Sequence, residues 1–136
     1  MNDFTYLGNP NLKRANVQQQ WTKKQVQEYA RCMDDPLYFI QTYVRIISLD
    51  EGLIPFKMYP FQKEMVGTFH KNRFTICKLP RQSGKSTTMI SYLLHYSLFN
   101  PSSNIAILAN KAATARDLLG RLQLAYEHLP KWLQQG

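Results

Sequence analysis

Leu79-Pro80-Arg81-Gln82-Ser83-Gly84-Lys85-Ser86-Thr87 is the stretch whose residue types and order could do chemistry. A glycine, a lysine and a hydroxyl residue in direct succession are what a phosphate-binding turn needs. The glycine lets the backbone come close, the lysine sets a cation between outer phosphates, and the serine hydroxyl is a Mg²⁺ ligand. Gly84, Lys85 and Ser86 fit the pattern GxxxxGK[ST], with Leu79 standing where the first glycine is expected. Gln82 and Ser83 belong to the same turn, and Thr87 is placed to support an inner phosphate. Backbone N–H groups of the loop and of a following helix would converge on the anion, and the helix dipole favours it there. Arg81 puts a permanently charged, fork-shaped donor inside the loop. Three roles are open to it: charge stabilisation at a transferring phosphoryl group, a ground-state phosphate contact, or solvation. Arg81 and Lys85 are therefore the catalytic candidates, and Ser86 is the candidate metal ligand.

A second constellation lies upstream, in Met58-Tyr59-Pro60-Phe61-Gln62. A glutamine amide both donates to and accepts from the adenine edge, which gives base selectivity, and the rings of Tyr59 and Phe61 can stack on a base. Taken alone, Tyr59 and Phe61 read as core and Gln62 as a surface helix residue. The phosphate-type loop downstream favours the nucleotide reading. ATP with Mg²⁺ is the expected ligand.

A Gly-Lys-Ser tripeptide recurs by chance, so the flanking elements decide. Phe74 to Leu79 is rich in β-branched and apolar residues and predicts a strand. Lys85 to Phe99 predicts a helix. Asn104 to Ala109 predicts a second strand, buried on both faces. After Asn110 a long amphipathic helix is expected, carrying Ala115, Leu118, Leu119, Leu122, Ala125, Tyr126 and Leu129 on or near one stripe. Strand, helix, strand, helix implies parallel pairing with a right-handed crossover. The expected class is therefore α/β, with a P-loop core of parallel strands.

Ahead of that core, residues 1–20 read as a flexible arm and 21–52 as a helical N-terminal segment; 53–136 read as the first part of the core. Thr22 with Gln25 has capping-box spacing, and Val26, Tyr29, Ala30 and Met33 fall on one helical face. Asp34-Asp35-Pro36 predicts an acidic N-cap with proline at the first position of the next helix, which would bury Leu37, Ile40, Tyr43 and Val44. Asp50-Glu51-Gly52 reads as a turn, Leu53 to Tyr59 as short and extended, and Pro60 as the start of a helix carrying Phe61, Met65, Val66 and Phe69.

Seventeen basic and nine acidic residues among 136 give a net charge of +8. No carboxylate side chain lies between Glu64 and Asp117, whereas Lys71, Arg73, Lys78, Arg81, Lys85, Lys111 and Arg116 all do. Such a stretch attracts polyanions, whether nucleotide phosphates or a nucleic-acid backbone. A hydrophobic fraction of 44% argues against wholesale disorder. Cys32 and Cys77 lie far apart without metal-type spacing, and Cys77 is expected inside the first core strand. His70, His95 and His128 are too dispersed for a metal site and are expected at the surface or partly packed. Trp21 and Trp132 are expected as packing anchors. With no long apolar run and no leader-like opening, an intracellular, soluble protein without membrane contact is expected.

In order along the chain, Tyr59-Pro60-Phe61-Gln62-Lys63, Arg81-Gln82-Ser83-Gly84-Lys85-Ser86, and Leu108-Ala109-Asn110-Lys111-Ala112-Ala113-Thr114-Ala115-Arg116 continuing to Leu129-Pro130-Lys131-Trp132-Leu133 resemble the large terminase subunit of tailed bacteriophages. The likeness is to the myovirus-type DNA-packaging motor over roughly residues 34–136, and that family also lacks the first P-loop glycine. Membership would imply a RecA-like ATPase that drives double-stranded DNA into a capsid, followed by an endonuclease. It would also imply a portal protein and a small terminase subunit as partners, a homo-oligomeric motor, and a place in the host cytoplasm at the prohead.

Downstream of the loop the only acidic residues are Asp117 and Glu127, both inside the last predicted helix. Phosphoryl transfer asks for an acidic strand end to hold Mg²⁺ and a carboxylate to orient water. The chain is therefore expected to be the N-terminal part of a longer ATPase, able to bind nucleotide but not to turn it over. A helicase-like translocase and a non-catalytic basic DNA-binding module are the alternative readings.

Overall fold

The computed structural model describes residues 5–48, 50–81 and 83–134. The chain begins with an antiparallel hairpin of β1 (Thr5–Tyr6) and β2 (Asn9–Lys13). Leu7 and Gly8 turn it with positive φ angles of 50° and 76°, the pairing of dihedrals that suits the right-handed twist of flanking strands. The hairpin is fastened to the far end of the sequence. Gln134 Oε1 accepts from the Lys13 N–H at 2.9 Å, and Gln134 Nε2 donates to the Asn11 carbonyl at 2.9 Å.

Helix α1 (Lys23–Asp34) starts where the capping signal places it: Thr22 Oγ1 accepts from the Gln25 N–H, and Gln25 Oε1 accepts from the Thr22 N–H. Helix α2 (Pro36–Tyr43) follows at once, with the Asp35 carboxylate accepting from the Tyr38 N–H and Pro36 at the first position. Glu28 of α1 then accepts from the hydroxyls of Tyr38 and Tyr43 of α2, both at 2.7 Å. Those two bonds hold its carboxyl below the ordinary value. The buried face of α1 differs from the expected stripe. Cys32 is inside while Val26 and Met33 are exposed, because α1 meets its neighbours along the Tyr29–Cys32 edge. Burial pushes the Cys32 thiol up to about 12.

Strands β3 (Arg45–Ser48) and β4 (Gly52–Pro55) form a second antiparallel hairpin, in register from Arg45↔Pro55 to Ser48↔Gly52. Gly52 closes its turn at φ 73°. Three helices complete the molecule: α3 (Pro60–Lys71), α4 (Lys85–Phe99) and α5 (Ala112–Glu127). Helix α4 is the hub, packed on α2, α3 and α5. The core gathers Phe39, Ile40, Val44, Phe56, Val66, Leu94, Leu98, Ala125, Leu129 and Leu133. Trp21 and Trp132 meet edge to face, and Trp132 also meets Tyr43. No helix among the described residues is long and apolar enough to cross a membrane.

The expected P-loop core of parallel, RecA-like strands is not what forms. The fold is α/β, but its described strands make two separate two-stranded antiparallel sheets, set among five helices. Phe74–Leu79 and Asn104–Ala109 join no sheet. Phe74 is 82% exposed, Ile76 98% and Leu108 94%, so these three of the apolar side chains that suggested buried strands face solvent. The reason is that β-propensity expresses fit to a pleated, half-covered surface rather than an intrinsic preference. A parallel strand needs hydrogen-bonded neighbours and cover on both faces, and the described residues offer these segments neither. Cys77, expected inside, is exposed for the same reason.

Candidate functional site

Pro60 starts α3 with its fixed φ, and Tyr59 is left as the N-cap in extended conformation. That places the third helical residue, Gln62, where its side chain reaches back: its Oε1 accepts from the Tyr59 N–H at 2.8 Å. The same side chain reaches across to the phosphate-type loop, where Nε2 donates to the Gly84 carbonyl at 3.4 Å. Gln62 is only 3% exposed, so its amide lies in the interior.

Gly84 is the N-cap of α4, at φ 83° and ψ 12°, in the left-handed region where a side chain is strained. Its carbonyl accepts from the Thr88 N–H at 3.1 Å and from Thr88 Oγ1 at 2.9 Å. A Cβ at this position would sit 2.6 Å from Gln62 Nε2. The dihedral favours glycine here, and any side chain would displace the Gln62 amide.

Between these two anchors lies a cavity of about 470 Å³. Tyr59 and Gln62 line it from the start of α3, and Ser83, Gly84 and Thr87 line it from the loop and the first turn of α4. The β3–β4 hairpin supplies the remaining wall, with Ile46, Glu51, Ile54 and Lys57 among its residues and those just after it. Tyr59 is 66% exposed, and its ring lies nearly parallel to that of Phe61, with centroids 6.0 Å apart. Phe61 itself lines a separate cleft against Thr75–Leu79.

The residues expected to work together are thus only partly brought together. Tyr59, Gln62, Ser83, Gly84 and Thr87 share the cavity. Lys85 does not line it: its ammonium donates back to the Leu79 carbonyl at 3.3 Å, tying the two ends of the loop. Ser86 follows in the first turn of α4, partly buried. Arg81 is exposed in the turn and does not line the cavity. Gln82 lies outside the described residues. The two downstream carboxylates are engaged elsewhere, Asp117 with Arg121 at 3.1 Å and Glu127 with the Asn9 amide at 3.4 Å.

Ser83 Oγ is buried in the loop with no hydrogen-bond partner. An orphaned buried hydroxyl carries a cost of about 1–3 kcal/mol, which an anion accepting its proton would relieve. As at any helix start, the first N–H groups of α4 have no intrahelical acceptors, and no side chain caps them. Of the groups a nucleoside triphosphate with Mg²⁺ would need, the cavity lining holds Tyr59, Ser83, Gly84 and Thr87, whereas Lys85 and Ser86 lie in the first turn of α4 outside that lining. Among the described residues no group of three or more His, Cys, Asp or Glu side chains could hold a metal by itself.

The hairpin wall was missed in the sequence, although the signal was present. Arg45-Ile46-Ile47-Ser48 and Leu53-Ile54 flank a turn at Asp50-Glu51-Gly52, which is a hairpin pattern. A scan against models of known protein families finds none that matches this chain.

Proposed function

We propose that the cavity between the start of α3 and the start of α4 binds a nucleoside triphosphate with Mg²⁺, ATP being the nucleotide that a packaging motor would use. The observation that carries this reading is the meeting of Tyr59 and Gln62 with Ser83, Gly84 and Thr87 around one cavity. Those residues come from two segments that the sequence singled out separately. In this reading the N–H groups of the loop and first turn of α4 hold the phosphates. Lys85 leaves the Leu79 carbonyl to face them, and Ser86 ligates Mg²⁺. The metal supplies charge neutralisation at the phosphates. Tyr59 provides a stacking face for the base.

We further propose binding without turnover, since Asp117 and Glu127 are turned to other partners and Glu51, the carboxylate among the cavity's lining residues, sits in a solvent-exposed turn. The wider role would be ATP-driven packaging of double-stranded DNA by a homo-oligomeric terminase large subunit at the prohead in the host cytoplasm, with portal protein and small terminase subunit as partners. Its support is the order of motifs along the chain.

A second reading, a basic nucleic-acid-binding module, is favoured by one feature. The Arg73 guanidinium lies over the Phe74 ring at 5.2 Å on the exposed basic stretch. Thermal-shift titration with ATP and Mg²⁺ separates the two. A nucleotide-dependent rise in melting temperature that Lys85→Ala removes and Lys71→Ala leaves supports the nucleotide site. DNA binding weakened equally by both variants, with no nucleotide shift, favours the module. Magnesium-dependent hydrolysis abolished by Lys85→Ala would overturn the proposal of binding alone.

A further inference from the structure

The Gln62 amide was expected to read a base, yet its hydrogen bonds run to the backbone on both sides of the cavity. Bidentate recognition of an adenine edge takes the amide oxygen and one N–H together. Here the oxygen accepts from the Tyr59 N–H at 2.8 Å and an N–H donates to the Gly84 carbonyl at 3.4 Å. The side chain is almost wholly buried, and its nitrogen occupies the space a side chain at Gly84 would need. Turning the amide toward a base would break both bonds and release the N-cap of α4, the point on which the phosphate-binding groups depend. Tyr59, by contrast, is open, and a stacking ring accepts any base because every base has a π face.

We propose that Gln62 is a positioning residue that clamps the phosphate loop, and that the site takes nucleoside triphosphates by their polyphosphate chain and by stacking on Tyr59, with little discrimination between purines. The proposal rests on the nucleotide reading of the cavity. Its mechanism is mechanical: α3, fixed in the core through Met65 and Val66, holds Gly84 through one amide, so the N–H groups that follow Gly84 are aimed before a ligand arrives.

The test is calorimetric titration of the full chain with Mg·ATP, Mg·GTP and inorganic tripolyphosphate. It is repeated for Gln62→Met, which keeps the volume and loses both bonds, and for Tyr59→Ala. The native chain is expected to bind ATP and GTP within about threefold of each other. Gln62→Met should weaken all three ligands by a similar factor, on the order of tenfold, including the one that has no base. Tyr59→Ala should weaken the two nucleotides and leave tripolyphosphate unchanged. Loss of fold in Gln62→Met would also weaken all three ligands, so its melting curve is recorded alongside, and the weakening supports the clamp where the variant melts as cooperatively as the native chain. A native preference for ATP over GTP above tenfold, erased by Gln62→Met with tripolyphosphate binding intact, overturns the proposal and leaves the nucleotide site standing. If Gln62→Met does not fold, the native preference by itself is enough to overturn it. Failure of the native chain to bind any of the three ligands overturns the nucleotide reading, and the clamp proposal with it.

Discussion

Helix α4 joins two regions built to different standards of packing. Its later turns lie in the core, with Ile90, Ser91, Leu94, His95, Leu98 and Phe99 buried against α2, α3 and α5. The chain that leads into its first turn is open, with Phe74, Ile76 and Cys77 in solvent. In the proposed nucleotide reading, the loop would take its support not from a strand before it but from the helix it opens and from Gln62 at its side.

The largest effect should come from the packed region. Phe39 is fully buried, edge to face with Phe99 at 5.6 Å, and Phe39→Ala should cost about 3–5 kcal/mol in denaturant unfolding. A loss below about 1 kcal/mol would mean that the helical core does not support the fold.

Gly84→Ala probes the junction. The left-handed backbone should cost about 1–2 kcal/mol, and the new Cβ would push on Gln62 Nε2. Adding Gln62→Ala relieves only the second part. Chemical denaturation of the single and double variants measures the division, and full recovery in the double variant would leave no role for backbone strain.

His95 gives the buried region a pH response. Its Nε2 donates to the Cys32 carbonyl at 2.8 Å, and burial lowers its pKa from the ordinary 6.5, with His70 of α3 adding to the fall and Asp35 opposing it. The unfolded chain therefore takes up a proton that the folded chain resists. Stability contributed here is complete above about pH 6.5 and is lost as pH falls toward the lowered folded-state value. Carboxyls such as Glu28, lowered by its tyrosines, act in a separate and more acidic window. Melting temperatures from pH 7.5 to 5.0 should fall more steeply for the native chain than for His95→Gln, and parallel curves would rule out this residue as the source.

The smallest effect belongs to the open region. Ile76→Ser should change stability by no more than about 0.5 kcal/mol, because its side chain contacts solvent already. A cost above about 2 kcal/mol would show Ile76 buried in solution, and the contrast between the two regions would fail.

The helices were legible because their signals are local. Thr22 with Gln25, Asp35 with Pro36, and Gly84 before Lys85 each specify a helix start by groups within one turn. Within the site, Tyr59, Ser83, Gly84 and Thr87 could be picked from residue type and spacing. The interior position of Gln62 could not, since burial depends on α4 arriving opposite. Nor could the return of the Lys85 ammonium to Leu79, which depends on the path of the loop. His95 reads in sequence as a dispersed polar residue and lies in the core because a carbonyl from α1 is there to accept its proton.

What the sequence by itself determined is the set of helices, their caps, the excess of cations between Glu64 and Asp117, and a glycine where the backbone turns left-handed. Only the tertiary structure decided which apolar segments become sheet. Phe74–Leu79 and Asn104–Ala109 carry strand composition and stay unpaired, while Arg45–Ser48 and Gly52–Pro55 pair across a tight turn. The physical reason is that a helix satisfies its backbone within itself, whereas a strand borrows its hydrogen bonds and its cover from neighbours.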